Sequence, residues 1–195
     1  GRLIDCKDTI GGLKAIYICK SYNNNIEQVA TIANTEMTDA SFATWSGQVA
    51  AKTIVYKYDL VQNLSSMTVN VNSDNANGTT FFDQTLSVTL QKIDHDMTNE
   101  LRLMAYTRSQ IFVQDSMDNV FLLGLVNGCH VTGGTVVTGT AKGDMSGFNV
   151  TLTANEPRMM MCTTSPGVPG ADDYPFDGLD NSTNININAG TYPTI

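Results

Sequence analysis

Positive charge is scarce in this sequence. Its 195 residues include 11 Lys and Arg against 19 Asp and Glu, so the net charge is -8 and the pI is about 4.5. A protein that grips nucleic acid needs clustered Lys and Arg to displace counterions from the phosphates. The composition therefore argues against a nucleic-acid-binding protein. A negative surface serves ordinary solubility, and it also suits a surface to which a nucleic acid must not stick.

Long apolar runs are also absent. No stretch approaches the roughly 18 to 20 apolar residues that a membrane-spanning helix needs, and the N-terminus lacks the basic and apolar segments of a secretion signal. With 42% hydrophobic and 15% charged residues, the composition is that of a globular chain and not of a disordered one. We expect one domain over residues 1–195 and no association with a membrane.

Cysteine and histidine do not have the spacing of the usual metal sites. The four cysteines form no C-x-x-C pair, which argues against zinc, and a chain with two histidines is a poor candidate for a histidine-based metal site. The aspartates of 172–180 lack the spacing of a calcium loop. We expect reduced thiols, although a disulfide between any pair stays open. The cysteines are Cys6, Cys19, Cys129 and Cys162.

The sequence contains partial matches to motifs for catalysis or cofactor binding, but none of them is complete. Gly134 and Gly139 have the spacing of a phosphate-binding loop, but Thr140 stands where that motif demands lysine. The segment 143–147 has its serine one place away from that of a nucleophile elbow. The Asp-His-Asp of 94–96 has the composition of a general-base cluster, yet acidic residues also suit the start of a helix. We therefore predict no enzymatic activity and no cofactor.

Alternating apolar residues predict antiparallel strands along most of the chain. Apolar residues on both faces of 13–20 indicate that this strand is covered on both sides, with Leu13, Ala15 and Tyr17 on one face. The polar faces of the other strands are threonine, serine and asparagine, which suits packing against another protein as well as water. Further strands are predicted at 54–60, 67–72, 85–91, 111–113 and 148–154, and a weak one at 26–33.

One helix is predicted over about 94–108. Asp94 or Asp96 can cap its start, and an apolar stripe places Glu100 and Arg102 on the opposite, outward side. The helix therefore interrupts a mainly β chain. The residues of the stripe are Met97, Leu101 and Met104.

The stretch 109–156 has the most regular pattern. The apolar run 120–126 is followed by Asn127-Gly128, which predicts a type I′ hairpin, and then by a glycine-rich linker at 133–144. A strictly alternating strand at 148–154 follows. This order, FLLGLVNG, VTGG, TGTAKGD and SGFNVTLTANEP, resembles the C-terminal half of tail tube proteins from long-tailed bacteriophages.

The resemblance implies a fold and a function. The fold is an antiparallel β-sandwich or barrel-like domain with one helix, and the function is structural. Copies would form hexameric rings, stacked into the tube through which the phage genome leaves. The partners implied are other copies, other phage tail proteins, and genomic DNA that passes an acidic lumen without specific binding. The location implied is the virion tail, assembled in the cytoplasm of the host bacterium.

Three segments are expected to extend from this domain: an N-terminal arm at 1–12, a long loop at 34–52 and a C-terminal arm at 163–195. Phe42 and Trp45 in the loop either pack into their own core or contact a neighbouring subunit. Ile185 and Ile187 in the C-terminal arm either add a strand to a neighbour's sheet or pack on their own chain. If the arm serves assembly, removal of 170–195 should impair polymerisation and leave a folded monomer.

A different function stays open at this point. A monomeric or trimeric β-sandwich binding module, such as a carbohydrate-recognising adhesin or a virion decoration domain, has the same strand pattern. Tyr56, Tyr58 and Trp45 on one exposed sheet would favour that module. Their burial at a subunit boundary would favour the tube.

Overall fold

The fold is mainly β, as the alternation predicted. The computed structural model describes residues 10–19, 53–162, 174–176 and 185–189, and these form two sheets with one helix packed beside them. The elements are β1 (Leu13–Cys19), β2 (Thr53–Asp59), β3 (Ser66–Asp74), β4 (Thr79–Gln91), α1 (His95–Tyr106), β5 (Gln110–Asp115), β6 (Val120–Leu123), β7 (His130–Val137), β8 (Gly147–Glu156), β9 (Met161–Cys162) and β10 (Ile185–Asn188).

The six-stranded sheet has the order β10-β2-β1-β5-β6-β9. Its strands pair antiparallel except β10, which lies parallel to β2. The central strand β1 is covered on both faces, as predicted, because Ile16 and Ile18 enter one core cluster while Ala15 and Tyr17 enter a second. Leu13 was expected beside Ala15. It lies with Ile16 instead, since an irregularity between residues 13 and 15 shifts the register.

The four-stranded sheet has the order β3-β4-β8-β7, and all of its pairs are antiparallel. The long strand β4 has 13 residues and pairs with both β3 and β8. Its apolar face and that of β8 form the main core with one face of β1, which confirms the predicted alternation. The residues that these two strands bury there are Leu86, Val88, Leu90, Phe148, Val150, Leu152 and Ala154.

The helix begins at His95, whose backbone N–H donates to the side chain of Asp94 at 2.7 Å, so Asp94 and not Asp96 is the cap. The predicted apolar stripe of 97–104 packs on the main core. Glu100 was expected to point away. It is half-buried instead and accepts a hydrogen bond from the Tyr58 hydroxyl, because β2 lies beneath this face of the helix. Within the described residues, no helix is long and apolar enough to cross a membrane.

The hairpin predicted at Asn127-Gly128 is wrong. The strands on either side, β6 and β7, belong to different sheets, so the segment between them crosses from one sheet to the other. Gly128 has φ +75° and Gly124 has φ +68°, but Asn127 has no positive φ, which a type I′ turn requires at both central residues. Glu156 holds this crossing because its carboxylate accepts the backbone N–H groups of Val126 and Asn127.

The glycine-rich linker predicted at 133–144 is shorter in the structure. Residues up to Val137 belong to β7, which pairs with β8 along its length, and the loop is confined to 138–146. At Gly134 the backbone of β8 approaches closely, which favours glycine at this position of the strand. A Cβ on Gly134 would lie 3.2 Å from the carbonyl oxygen of Asn149.

The C-terminal arm packs on its own chain where the structure describes it. Phe176 is 0% exposed and contacts the rings of Tyr17 and Phe112 edge-on, at centroid distances of 5.2 and 4.9 Å. Tyr174 accepts a hydrogen bond from the Gln114 amide at 3.0 Å. Because Phe176 belongs to the core, these contacts argue against a folded monomer after truncation of 170–195, and that expectation stays a prediction.

Candidate assembly surface

The outer face of the four-stranded sheet is lined mainly by short, uncharged polar side chains, and the register also places Asp74, Phe81, His130 and Val137 on this face. Strand register sets them in rows, and one row runs from Thr68 through Thr85 to Thr153. Threonine suits such a face because its branched Cβ favours the extended backbone while its hydroxyl takes part in hydrogen bonds. Asp83 alone in this set is charged. We call the set the hydroxyl face: Thr68, Asn70, Asp83, Thr85, Ser87, Thr89, Thr135, Asn149, Thr151 and Thr153.

The hydroxyl face is chemically neutral. Thr89 donates from its hydroxyl to the side-chain oxygen of Asn149 at 3.0 Å, so neighbouring strands are also linked by their side chains. The face presents many donors and acceptors and almost no net charge. Such a surface can hold water, but it has no cluster of cations that could hold phosphates.

The two edges of this sheet are open in the part of the chain that the structure describes. β3 is hydrogen-bonded to β4 on one side, and β7 to β8 on one side. The strands have 9 and 8 residues, and neither contains lysine, arginine or proline. Soluble proteins usually protect a long sheet edge with such residues, because unpaired N–H and C=O groups recruit another strand. Both edges are therefore suited to pairing with a further strand.

The two edges are also complementary in direction. Each pair in the order β3-β4-β8-β7 is antiparallel, so β3 and β7 run in opposite directions. If a rotated second copy sets its β7 beside β3, the antiparallel order continues without a break. This contact is heterologous, since different surfaces meet, and it yields a ring when the rotation closes.

The contact residues chosen from the sequence are not part of β3 or β7. Phe42 and Trp45 are outside the described residues. Ile185 begins β10, paired with β2 of its own chain, and Ile187 is half-buried against the second core cluster. The prediction that these residues contact another subunit stays a prediction. Sequence reasoning missed the edges, because the lack of lysine, arginine and proline in 66–74 and 130–137 gains meaning only once both strands are known to lie at an edge.

The tyrosines that could have formed a carbohydrate platform do not lie on an open sheet. Tyr58 is half-buried under the helix and donates to Glu100 at 2.5 Å, and burial together with this hydrogen bond raises the pKa of Tyr58. Tyr56 is half-buried as well. Both line a cleft of about 370 Å³ between β2 and the helix, with Leu103 and Met104 on the other side. This observation weakens the alternative of an aromatic binding module.

The motif candidates have structural roles where the structure describes them. The loop after Gly139 is filled by the carboxylate of Asp144, which accepts the backbone N–H groups of Thr140 and Ala141 at 2.8 and 2.7 Å. A phosphate would need those same donors. His130 is half-buried in β7, opposite Thr153.

The two cysteines that the structure describes are buried. Burial raises the pKa of the Cys19 and Cys129 thiols to about 12, so neither is an ionised nucleophile at neutral pH. Among the described residues, no group of three His, Cys, Asp or Glu side chains is placed to hold a metal ion.

Comparisons of the chain with protein-family models, with curated proteins and with solved structures gave no significant match.

Proposed function

We propose that this chain is a structural subunit of a bacteriophage tail tube, in which copies form hexameric rings that stack into a conduit for DNA. The observation that carries the proposal is the pair of open, directionally complementary edges on the four-stranded sheet. The resemblance of 109–156 to tail tube proteins supports it from the sequence. The chain acts in this proposal as a wall and not as a catalyst.

Pairing β7 of each copy with β3 of the next joins six sheets into one barrel. Four strands from each of six copies make 24, and at about 4.8 Å per strand the backbone circumference is about 115 Å before tilt. A strand tilt of up to about 45° widens the ring, so the backbone diameter is about 37 to 52 Å. That opening is wide enough for duplex DNA after side chains are added.

The hydroxyl face would line the conduit in this arrangement. Its wall would then be mostly neutral, with Asp83 as the charged member of the set, and not strongly acidic as the net charge of -8 suggested. A neutral wall of hydroxyls and amides exchanges hydrogen bonds with water and has no fixed cations to arrest the phosphates. DNA would slide past such a wall on a layer of water.

Negative-stain electron microscopy with sedimentation velocity tests the proposal. The purified protein should form rings or hollow tubes as concentration rises. A variant with one charge on each edge, Thr68→Lys with Thr135→Lys, should stay monomeric, because each open edge would then carry the lysine with which soluble proteins protect such edges. The matched control, Thr85→Lys with Asn149→Lys, adds the same charge to the same face on central strands and should still form rings.

Two results would contradict the proposal. One is a wild-type protein that stays monomeric at every concentration and salt tested, including when seeded with preformed phage tail ends. The other is equal assembly of the edge variant and the wild type, which would show that β3 and β7 do not form the contact.

A further inference from the structure

We propose that the cleft between β2 and the helix binds a small organic ammonium ion, which is a protonated amine carried on an apolar body. The cleft has a volume of about 370 Å³, near the lower end of the range for small-molecule sites. Its ligand is a small molecule, in contrast to the polysaccharide that an open aromatic platform would take. The inference goes beyond the proposed tube and does not depend on it.

The walls of the cleft are suited to the apolar body of such a ligand. Tyr56 and Tyr58 lie two residues apart on one face of β2, and both are half-buried. Leu103 and Met104 line the cleft from the helix, and Ile18 of the neighbouring strand β1 lines it as well. Aromatic and aliphatic side chains of this kind remove the apolar part of a ligand from water, which favours binding.

The charge of the cleft is negative. Glu100 is the one charged member among the described residues that line it. The Oε2 atom of Glu100 accepts the hydrogen bond from the Tyr58 hydroxyl, and no ion pair between described residues includes Glu100. A hydroxyl donor stabilises a carboxylate without neutralising its charge. A half-buried carboxylate that lacks a cationic partner favours a ligand that brings the cation, because a charge-assisted hydrogen bond is stronger than a neutral one.

The end of the helix favours the same sign of ligand. Thr107, the C-cap residue, lines the cleft together with Leu103 and Met104 of the last turn. The carbonyl groups at a helix C-terminus carry a partial negative charge, which lysine, arginine or histidine often offsets. The last turn of this helix contains none of these residues. Tyrosine rings also attract ammonium groups, so three features of the cleft select a cation.

An NMR titration of the full chain, with the methionine methyl groups labelled, tests the binding. The probe is n-hexylammonium, and n-hexanol is its neutral counterpart. We expect a saturable shift of the Met104 methyl signal, while the signal of Met159, which is 52% exposed and outside the cleft, should not move. n-Hexanol should bind about tenfold more weakly, because it lacks the charge. No saturable shift at Met104, or equal affinities for the two probes, would overturn the inference.

A variant of Glu100 separates ligand recognition from a structural role. Glu100→Gln keeps an oxygen that accepts the Tyr58 hydroxyl and loses the charge, so the affinity for n-hexylammonium should fall about tenfold while that for n-hexanol stays the same. Asp96→Asn is the matched control. It removes the same charge one turn earlier, at an exposed residue outside the cleft, and should bind both probes as the wild type does. Equal affinities of the two variants for n-hexylammonium would show that Glu100 only fastens the helix to β2.

The edge variant, Thr68→Lys with Thr135→Lys, separates this inference from the proposed function. Both substituted residues lie outside the cleft, so this variant should bind n-hexylammonium as the wild type does. Tubes formed by a wild type that does not bind n-hexylammonium would overturn the ammonium site and leave the tube proposal standing. Binding by a wild type that never assembles would confirm the site and contradict the tube.

Discussion

Gly124 has no room for a side chain at the crossing between the sheets. It has φ +68°, and a Cβ there would lie 2.6 Å from the backbone nitrogen of Cys129 and 2.7 Å from its sulfur. Gly78, in the β3–β4 turn, has a similar φ of +63° but open space around it. The two positions therefore differ in packing and not in backbone conformation.

Substitution at these two glycines should separate strain from steric overlap. Gly78→Ala should cost about 1 to 2 kcal/mol, the usual penalty for a left-handed non-glycine residue. Gly124→Ala should cost about 1 to 3 kcal/mol more, because backbone atoms must move to make room. Urea unfolding followed by circular dichroism measures both, and equal losses for the two variants would show that the crossing relaxes freely.

Two buried polar residues stabilise the crossing between the sheets, and no local sequence pattern predicted this role. Glu156 and Gln84 are buried and face the crossing segment, where they accept backbone N–H groups that have left a sheet. Burial of a carboxylate is costly unless it is hydrogen-bonded, and here two backbone donors satisfy it. In the sequence, both residues interrupt the apolar face of their strands without any sign of why.

At the scale of single elements, the helix was well predicted because its signals are local. The apolar spacing and the acidic start specify it within a few residues, and the structure resolved the choice of cap in favour of Asp94. The prediction failed at Glu100, whose surroundings depend on β2, more than 40 positions earlier in the chain.

The N-cap can be tested by truncating each acidic residue in turn. Asp94→Ala should cost about 1 kcal/mol, because the first N–H of the helix loses its acceptor. Asp96→Ala should cost less, since at an exposed first-turn position it contributes chiefly through the helix dipole. Thermal unfolding of both variants measures the difference. A larger loss of stability for Asp96→Ala than for Asp94→Ala would show that Asp94 is not the cap.

The open strand edges are features of elements, but their meaning depends on the sheet. A strand such as β7 reads the same in the sequence whether it lies at the centre or at the edge. The strands that pair with it decide whether it is a central or an edge strand. In the described chain, β7 is paired with β8 on one side. The lack of lysine and proline in β3 and β7 becomes significant only once both are known to be edge strands.

At the scale of the whole molecule, the described residues of the C-terminal arm, 174–176 and 185–189, belong to the fold. Phe176 fills the second core cluster between Tyr17 and Phe112, and β10 adds an edge to the six-stranded sheet. Loss of an aromatic ring from such a site leaves a cavity as well as the lost transfer free energy. The arm therefore contributes to the stability of a single copy, whatever it does in an assembly.

The contribution of the arm can be measured on the monomer. Phe176→Ala should lower the free energy of unfolding by about 3 to 5 kcal/mol, and removal of 170–195 should lower it further or prevent folding. Phe81→Ala is the control, because its ring is partly exposed at the hairpin tip and its loss should cost much less. A truncated chain with wild-type stability would show that Phe176 does not hold the core.

The sequence by itself determined the mainly β class, most strand positions and the helix, because a period of two or of 3.6 residues is a local property of the backbone. It did not determine which strands share a sheet. Asn127-Gly128 has the composition of a hairpin, yet the chain crosses there between sheets, since Glu156 and Gln84 satisfy its backbone groups. Sheet membership, the open edges and the docking of Phe176 arise from contacts between distant residues, and only the tertiary structure decided them.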